Sequence, residues 1–147
     1  MRWIDIPPVW LLLALAAAWG LGRLAPGVGF GGWAEPAGGA LVILGLLLML
    51  AAVLTMTRAR TTVIPHEQPS ALVTEGVFRL SRNPIYLGDA LVLTGFILYR
   101  DAVLALPVIA LFVRVIERRF IRPEEERLRA GFGAAFEAWA ARTRRWL

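Results

Sequence analysis

GALVILGLLLMLAAVLTM, residues 39–56, decides the fold: a run of this length passes without a charged side chain or a proline. Wound as a helix at about 1.5 Å per residue, it approaches the roughly 30 Å of a bilayer's hydrocarbon core. Outward from it lie a second strong apolar block at residues 9–24 and weaker ones at 85–99 and 102–116. Four spans is the natural reading. The third is short and crosses only if its flanks are buried too or the bilayer thins around it. The expected fold is all-α, a polytopic membrane protein of four transmembrane helices with a cytoplasmic loop at 57–85 and a C-terminal amphipathic helix within 117–147. The 147 residues leave room for one membrane domain, and 58% hydrophobic content with a mean hydropathy of +0.62 exceeds the roughly 45–50% of soluble domains.

Charge placement orients the spans. Arg58, Arg60, Arg79 and Arg82 occupy the central loop and eight more arginines follow Ile116, whereas the opposite turns hold Arg23 and Arg100. The bias of basic residues toward the cytoplasm puts both termini and the central loop inside, as an even number of spans requires. The expected location is a prokaryotic inner membrane. The net charge of +5 follows from this flanking, not from a basic stripe with interleaved aromatics, so nucleic acid is set aside as a partner. The N-terminus reads as a retained first span rather than a signal peptide, because its apolar run is long and its start holds Arg2 and Asp5.

Absent residues exclude chemistry. With no cysteine there is no disulfide, thiolate metal site or cysteine nucleophile, and with no lysine there is no Schiff base. No metal is expected. The turn at 26–38 contains Gly27-Val28-Gly29-Phe30-Gly31-Gly32, superficially similar to a dinucleotide fingerprint. That fingerprint needs a βαβ unit, and a loop between membrane helices does not supply one.

The central loop is too apolar for a disordered linker. At its end Asn83 suits an N-cap and Pro84 the first helical position, so the third span should start here. The same unpaired N–H groups also suit an anionic ligand at the membrane surface, with Arg82 beside them. Beyond the fourth span, Pro123-Glu124-Glu125-Glu126 reads as the opening of a new helix, its carboxylates offsetting the macrodipole. Leu128, Phe132, Phe136 and Trp139 then fall on one apolar face, expected against the membrane or the central loop, with Gly131 and Gly133 interrupting the helix. Asp89 and Arg114 lie inside predicted spans at similar depth; they either pair or sit separately at the interface.

Three segments together carry a resemblance. Leu72-Val73-Thr74-x-Gly76-Val77-Phe78, Arg82-Asn83-Pro84-x-Tyr86-x-Gly88 and Glu124-Glu125-x-x-Leu128-x-x-x-Phe132-Gly133 stand in the order and spacing of one pattern. Over roughly residues 60–147 the chain resembles the isoprenylcysteine carboxyl methyltransferase and phospholipid methyltransferase superfamily of membrane enzymes. It departs at Asn83, where many members have histidine. The resemblance implies S-adenosylmethionine as cofactor, enclosed at the cytoplasmic face by Ser70, Ala71, Leu72, Val73, Phe78, Arg82, Asn83, Pro84, Ile85, Tyr86, Glu124 and Glu125. It implies methyl transfer to a lipid-like or small apolar acceptor reached from the bilayer, with membrane lipids as neighbours.

Family enzymes acting on prenylcysteine carry an arginine about one turn before the glutamates. Phe120 stands at that position here with Arg119 beside it, which makes Arg119 the candidate substrate contact and leaves the acceptor open among prenylcysteine, phospholipid amines, thiols and others. His66, the only histidine, could accept a proton or be an ordinary loop residue. The competing expectation is a four-span membrane protein without enzymatic activity, a small transporter or a subunit of a complex.

Overall fold

The computed structural model describes residues 5–24, 27–61 and 70–147. Pro26 and His66 therefore lie outside the described residues. Among the described residues the chain is all helical, with α1 (Pro7–Gly22), α2 (Ala34–Arg58), α3 (Pro84–Tyr99), α4 (Leu106–Ile116), α5 (Arg122–Phe132) and α6 (Ala134–Arg142). Short 3₁₀ turns at Gly76–Arg79 and Val103–Ala105 precede α3 and α4, and a π turn at Glu117–Ile121 joins α4 to α5.

Among the described residues α2 is the helix long and apolar enough to cross a membrane. α1 and α3 have 16 residues each and α4 has 11. The helices turn large apolar side chains outward, including Leu12, Leu13, Ile43, Leu47, Leu50 and Leu111. What holds α2 to α3 is a seam of small residues. A Cβ added to Gly45 would sit 2.6 Å from the Gly88 carbonyl oxygen, and one added to Gly95 would sit 2.6 Å from the Gly38 carbonyl oxygen. Backbone meets backbone at Gly38, Gly45, Gly88 and Gly95, an approach that only residues without a side chain allow. α1, α3 and α4 enclose the main core around Ala18, Leu93, Ile97, Phe112 and Ile116. At the far end, Phe30 N–H donates to the Asp101 carboxylate, tying the α1–α2 turn to the α3–α4 turn.

Several expectations change. α2 starts at Ala34, so Pro36 and Gly38 belong to its first turns and not to the preceding loop; a first-turn proline loses no helical bond, and Gly38 is held there by α3. α3 starts at Pro84 as expected, but the Asn83 side chain does not cap it; its Nδ2 donates to the Arg145 carbonyl at 3.0 Å. Pro123 opens no new helix. α4 runs through the π turn into α5, and the wider turn accommodates a ring that would clash with the preceding turn of a regular helix. Gly131 stays helical, while Gly133, at φ +49°, separates α5 from α6.

Asp89 and Arg114 form no pair. Asp89 is buried, but α4 packs inward through Phe112 and Ile116, and Arg114, two residues and about 200° from either, faces an exposed groove.

Candidate active site

The polar end of the fold is built around the start of α3. Three residues before it, Ser81 Oγ accepts from Asn83 N–H at 3.1 Å and donates to the Arg145 carbonyl at 3.2 Å. Arg82 N–H donates to the Arg144 carbonyl at 2.9 Å, so the last residues of the chain lie directly over the helix end. The Arg82 guanidinium donates to the Ala140 and Thr143 carbonyls, each at 2.9 Å, and to Glu125 at 3.0 Å. It thereby occupies carbonyls that the end of α6 leaves without helical partners.

Glu125 is buried and receives a second arginine: Arg145 grips it through Nε at 3.0 Å and Nη2 at 2.7 Å, and reaches Glu117 at 2.9 Å. Burial pushes the Glu125 carboxyl up, but the hydrogen bonds and charges of Arg145 and Arg82 outweigh it and leave it below the usual carboxylate range. Glu117 is lowered as well, first by its hydrogen bond from Arg122, against opposing desolvation. Glu125 and Arg82 thus sit in an internal ion-pair network that fastens α5, α6 and the tail to the start of α3.

Glu124, one residue earlier, faces a different neighbour. The Tyr86 hydroxyl donates to Glu124 Oε1 at 2.7 Å, joining two segments 38 residues apart in sequence. The Tyr86 ring lies 6.3 Å from that of Phe120, which the π turn carries into the core. Pro84 has no N–H and Asn83 donates elsewhere, so the first turn of α3 lacks a side-chain cap beside this pair.

The remaining expected residues divide into groups. Leu72, Val73, Phe78 and Ile85 pack with Phe136 and Trp139 in a second apolar cluster, and Trp139 Nε1 donates to the Phe78 carbonyl at 3.1 Å. The apolar face of residues 128–139 therefore meets the central loop. Ser70 is exposed and donates to the Arg60 carbonyl at 2.9 Å, while Ala71 N–H reaches Thr61 Oγ1 at 3.4 Å. Arg119 turns away from Tyr86 toward the start of α1, where it pairs with Asp5 at 2.7 Å and lies 5.1 Å from the Trp10 ring centre. Glu117, Phe120 and Arg145 were not singled out from the sequence for this place. Phe120 stands out in the sequence only as the position of a missing arginine, and the other two carry no local signal.

Two proteins of Arabidopsis thaliana, Protein-S-isoprenylcysteine O-methyltransferase B and Protein-S-isoprenylcysteine O-methyltransferase A, are each 32% identical to this chain over 123 residues. The match takes in 80% of this chain and 60% of each relative, so the chain spans about three fifths of the length of these curated proteins. Residues 33–135, from the start of α2 through the Tyr86–Glu124 pair to the break at Gly133, match the model of the phospholipid methyltransferase family, and the chain belongs to that family.

Proposed function

We propose that this protein is a membrane-embedded, S-adenosylmethionine-dependent methyltransferase that methylates a lipid-like or small apolar acceptor at the cytoplasmic face. The observation that carries this reading is the Tyr86–Glu124 hydrogen bond, which unites the two motif segments over an uncapped helix end.

The membrane part rests on α2 and on the apolar exterior. Twenty-five residues give α2 a length of roughly 37 Å, ample for a hydrocarbon core. Leucines exposed along α1, α2 and α4 would form an unfavourable apolar surface in water and a neutral one in lipid. In the proposed arrangement α1, α3 and α4 also span, helped by their flanking turns and local thinning, with both termini and the ion-pair network on the cytoplasmic side.

The residues present fit the cofactor. The first-turn N–H groups of α3 suit its carboxylate. Glu124 can accept from its amino group or a ribose hydroxyl, and the Tyr86 and Phe78 rings offer faces to adenine or to a sulfonium. Leu72, Val73 and Ile85 would wall the apolar side, with Ser70, Ala71 and Pro84 supplying backbone, and Arg82, Asn83 and Glu125 fixing the helix end. When bound, S-adenosylmethionine supplies a methyl group activated by the positive sulfur. The chain's own task is to align an acceptor with that group and to exclude water, which is where most of the acceleration in such a displacement arises. Arg119, engaged with Asp5 at the mouth of α1, is proposed as an outer contact for the acceptor.

Calorimetric titration of detergent-purified protein with S-adenosylmethionine tests the proposal. Saturable binding is expected; a folded protein that releases no heat of binding ends it.

A further inference from the structure

We infer that Arg114, Arg118 and Arg122 form a binding site for an anionic phospholipid, with the headgroup phosphate between the arginines and an acyl chain along Leu111. The three arginines line one groove of about 500 Å³ with Ala110, Leu111, Val113 and Glu117. They recur every fourth residue, and the π turn at Glu117–Ile121 keeps them in line. An ordinary helix gains about 40° over four residues, whereas a turn closing five residues on lags behind, so the two segments offset.

Charge in the groove is unbalanced. Its carboxylate, Glu117, already receives Arg122 at 3.0 Å and Arg145 at 2.9 Å. Arg114 and Arg118 are both exposed, and neither makes an ion pair among the described residues. Two adjacent guanidiniums without a carboxylate call for an anion, and a phosphodiester accepts their donors in a fork geometry.

The apolar end of the groove selects a lipid over a free ion. Leu111 is 62% exposed one turn before Arg114, and Ala110 is exposed beside it. On the reading of α4 as a span, the arginines reach the headgroup layer where its apolar residues end, so a phosphate and its chain fall naturally into register. None of the residues proposed for the cofactor lines this groove. The inference rests on the membrane reading and not on methyl transfer.

Native mass spectrometry of the full chain in a neutral detergent, titrated with phosphatidylglycerol or phosphatidylcholine, tests it. Phosphatidylglycerol should be retained and phosphatidylcholine lost, and R114Q/R118Q should weaken phosphatidylglycerol roughly tenfold or more. R114K/R118K, which keeps the charges but loses the fork, should fall between the wild type and R114Q/R118Q, and Arg79→Gln should keep all of the affinity. Equal retention of the two lipids, or undiminished affinity in R114Q/R118Q, overturns the inference, as does displacement of the lipid by millimolar inorganic phosphate, which would mark a simple ion site. If the double variant does not fold, R114Q and R118Q are read singly, and each must lose affinity. S-adenosylmethionine binding measured on the same samples should be unaffected, which separates failure of this site from failure of the enzyme.

Discussion

Glu124, Glu125 and Glu126 are consecutive in sequence and have three different fates: one bonds Tyr86, one is buried between two arginines, and one is exposed. If Glu124 holds the cofactor, Glu124→Ala should weaken S-adenosylmethionine by about tenfold or more, the usual cost of losing a charged hydrogen bond, while Glu126→Ala changes it less than about twofold. Equal small effects, read by calorimetry, would leave these carboxylates as helix-dipole partners only. Glu125 belongs to stability. Burial raises its carboxyl and the Arg145 and Arg82 bonds more than reverse that, so its folded value lies below the ordinary 4.5. Its contribution is complete above the unfolded value and disappears as pH falls through the depressed folded one. Melting curves in detergent should therefore show the wild type's advantage over Glu125→Gln shrinking below pH 4.5, and Glu125→Ala should cost roughly 3 kcal/mol at neutral pH by stranding Arg82. A constant gap across that range would deny the ion pairs. Tyr86 and Glu124 were legible because motif order names them. The work of Asn83 was not, since its partner is a backbone carbonyl 62 residues away and any residue at 145 would present one.

Hydropathy located the apolar blocks that became α1 to α4, yet it missed how α2 and α3 meet. Gly38, Gly45, Gly88 and Gly95 are spaced by seven within each helix, a pattern invisible to a reading that counts only apolar and charged positions. Gly39 adjoins the seam but faces open space, and this contrast gives a test within one helix. Gly45→Ala should lower stability by about 1–3 kcal/mol through overpacking against the Gly88 carbonyl. Gly39→Ala should be neutral or stabilising by up to about 1 kcal/mol, because alanine favours a helix and nothing obstructs it. Denaturation in mild detergent distinguishes them, and identical behaviour would mean that the helices do not touch at Gly45. The π turn escaped the sequence for another reason. Pro123 is equally at home in a helix's first turn and next to a widened one, so the residue alone does not choose.

At the scale of the molecule, the two ends of the bundle are chemically unlike. One end is closed by Phe30 and Asp101 and carries little charge; the other gathers Arg82, Glu117, Glu125 and Arg145 over the start of α3. The sequence foretold this polarity because basic residues are placed by topology, whereas the pairing of α5, α6 and the tail over the loop required long-range contacts that no local pattern encodes. The proposed spans follow from the same asymmetry, since an even number of crossings is the arrangement that would put residues 58–61, 70–82 and 117–147 on one side and Val28 on the other. The chain has no cysteine, so single replacements report topology without background. Val28→Cys and Arg142→Cys both alter exposed positions. In sealed inverted and right-side-out vesicles, a membrane-impermeant maleimide should label residue 142 only from the cytoplasmic face and residue 28 only from the opposite one. Labelling of both from the same face would mean an even number of crossings between them in place of the three proposed at α2, α3 and α4, and would overturn the four-span arrangement.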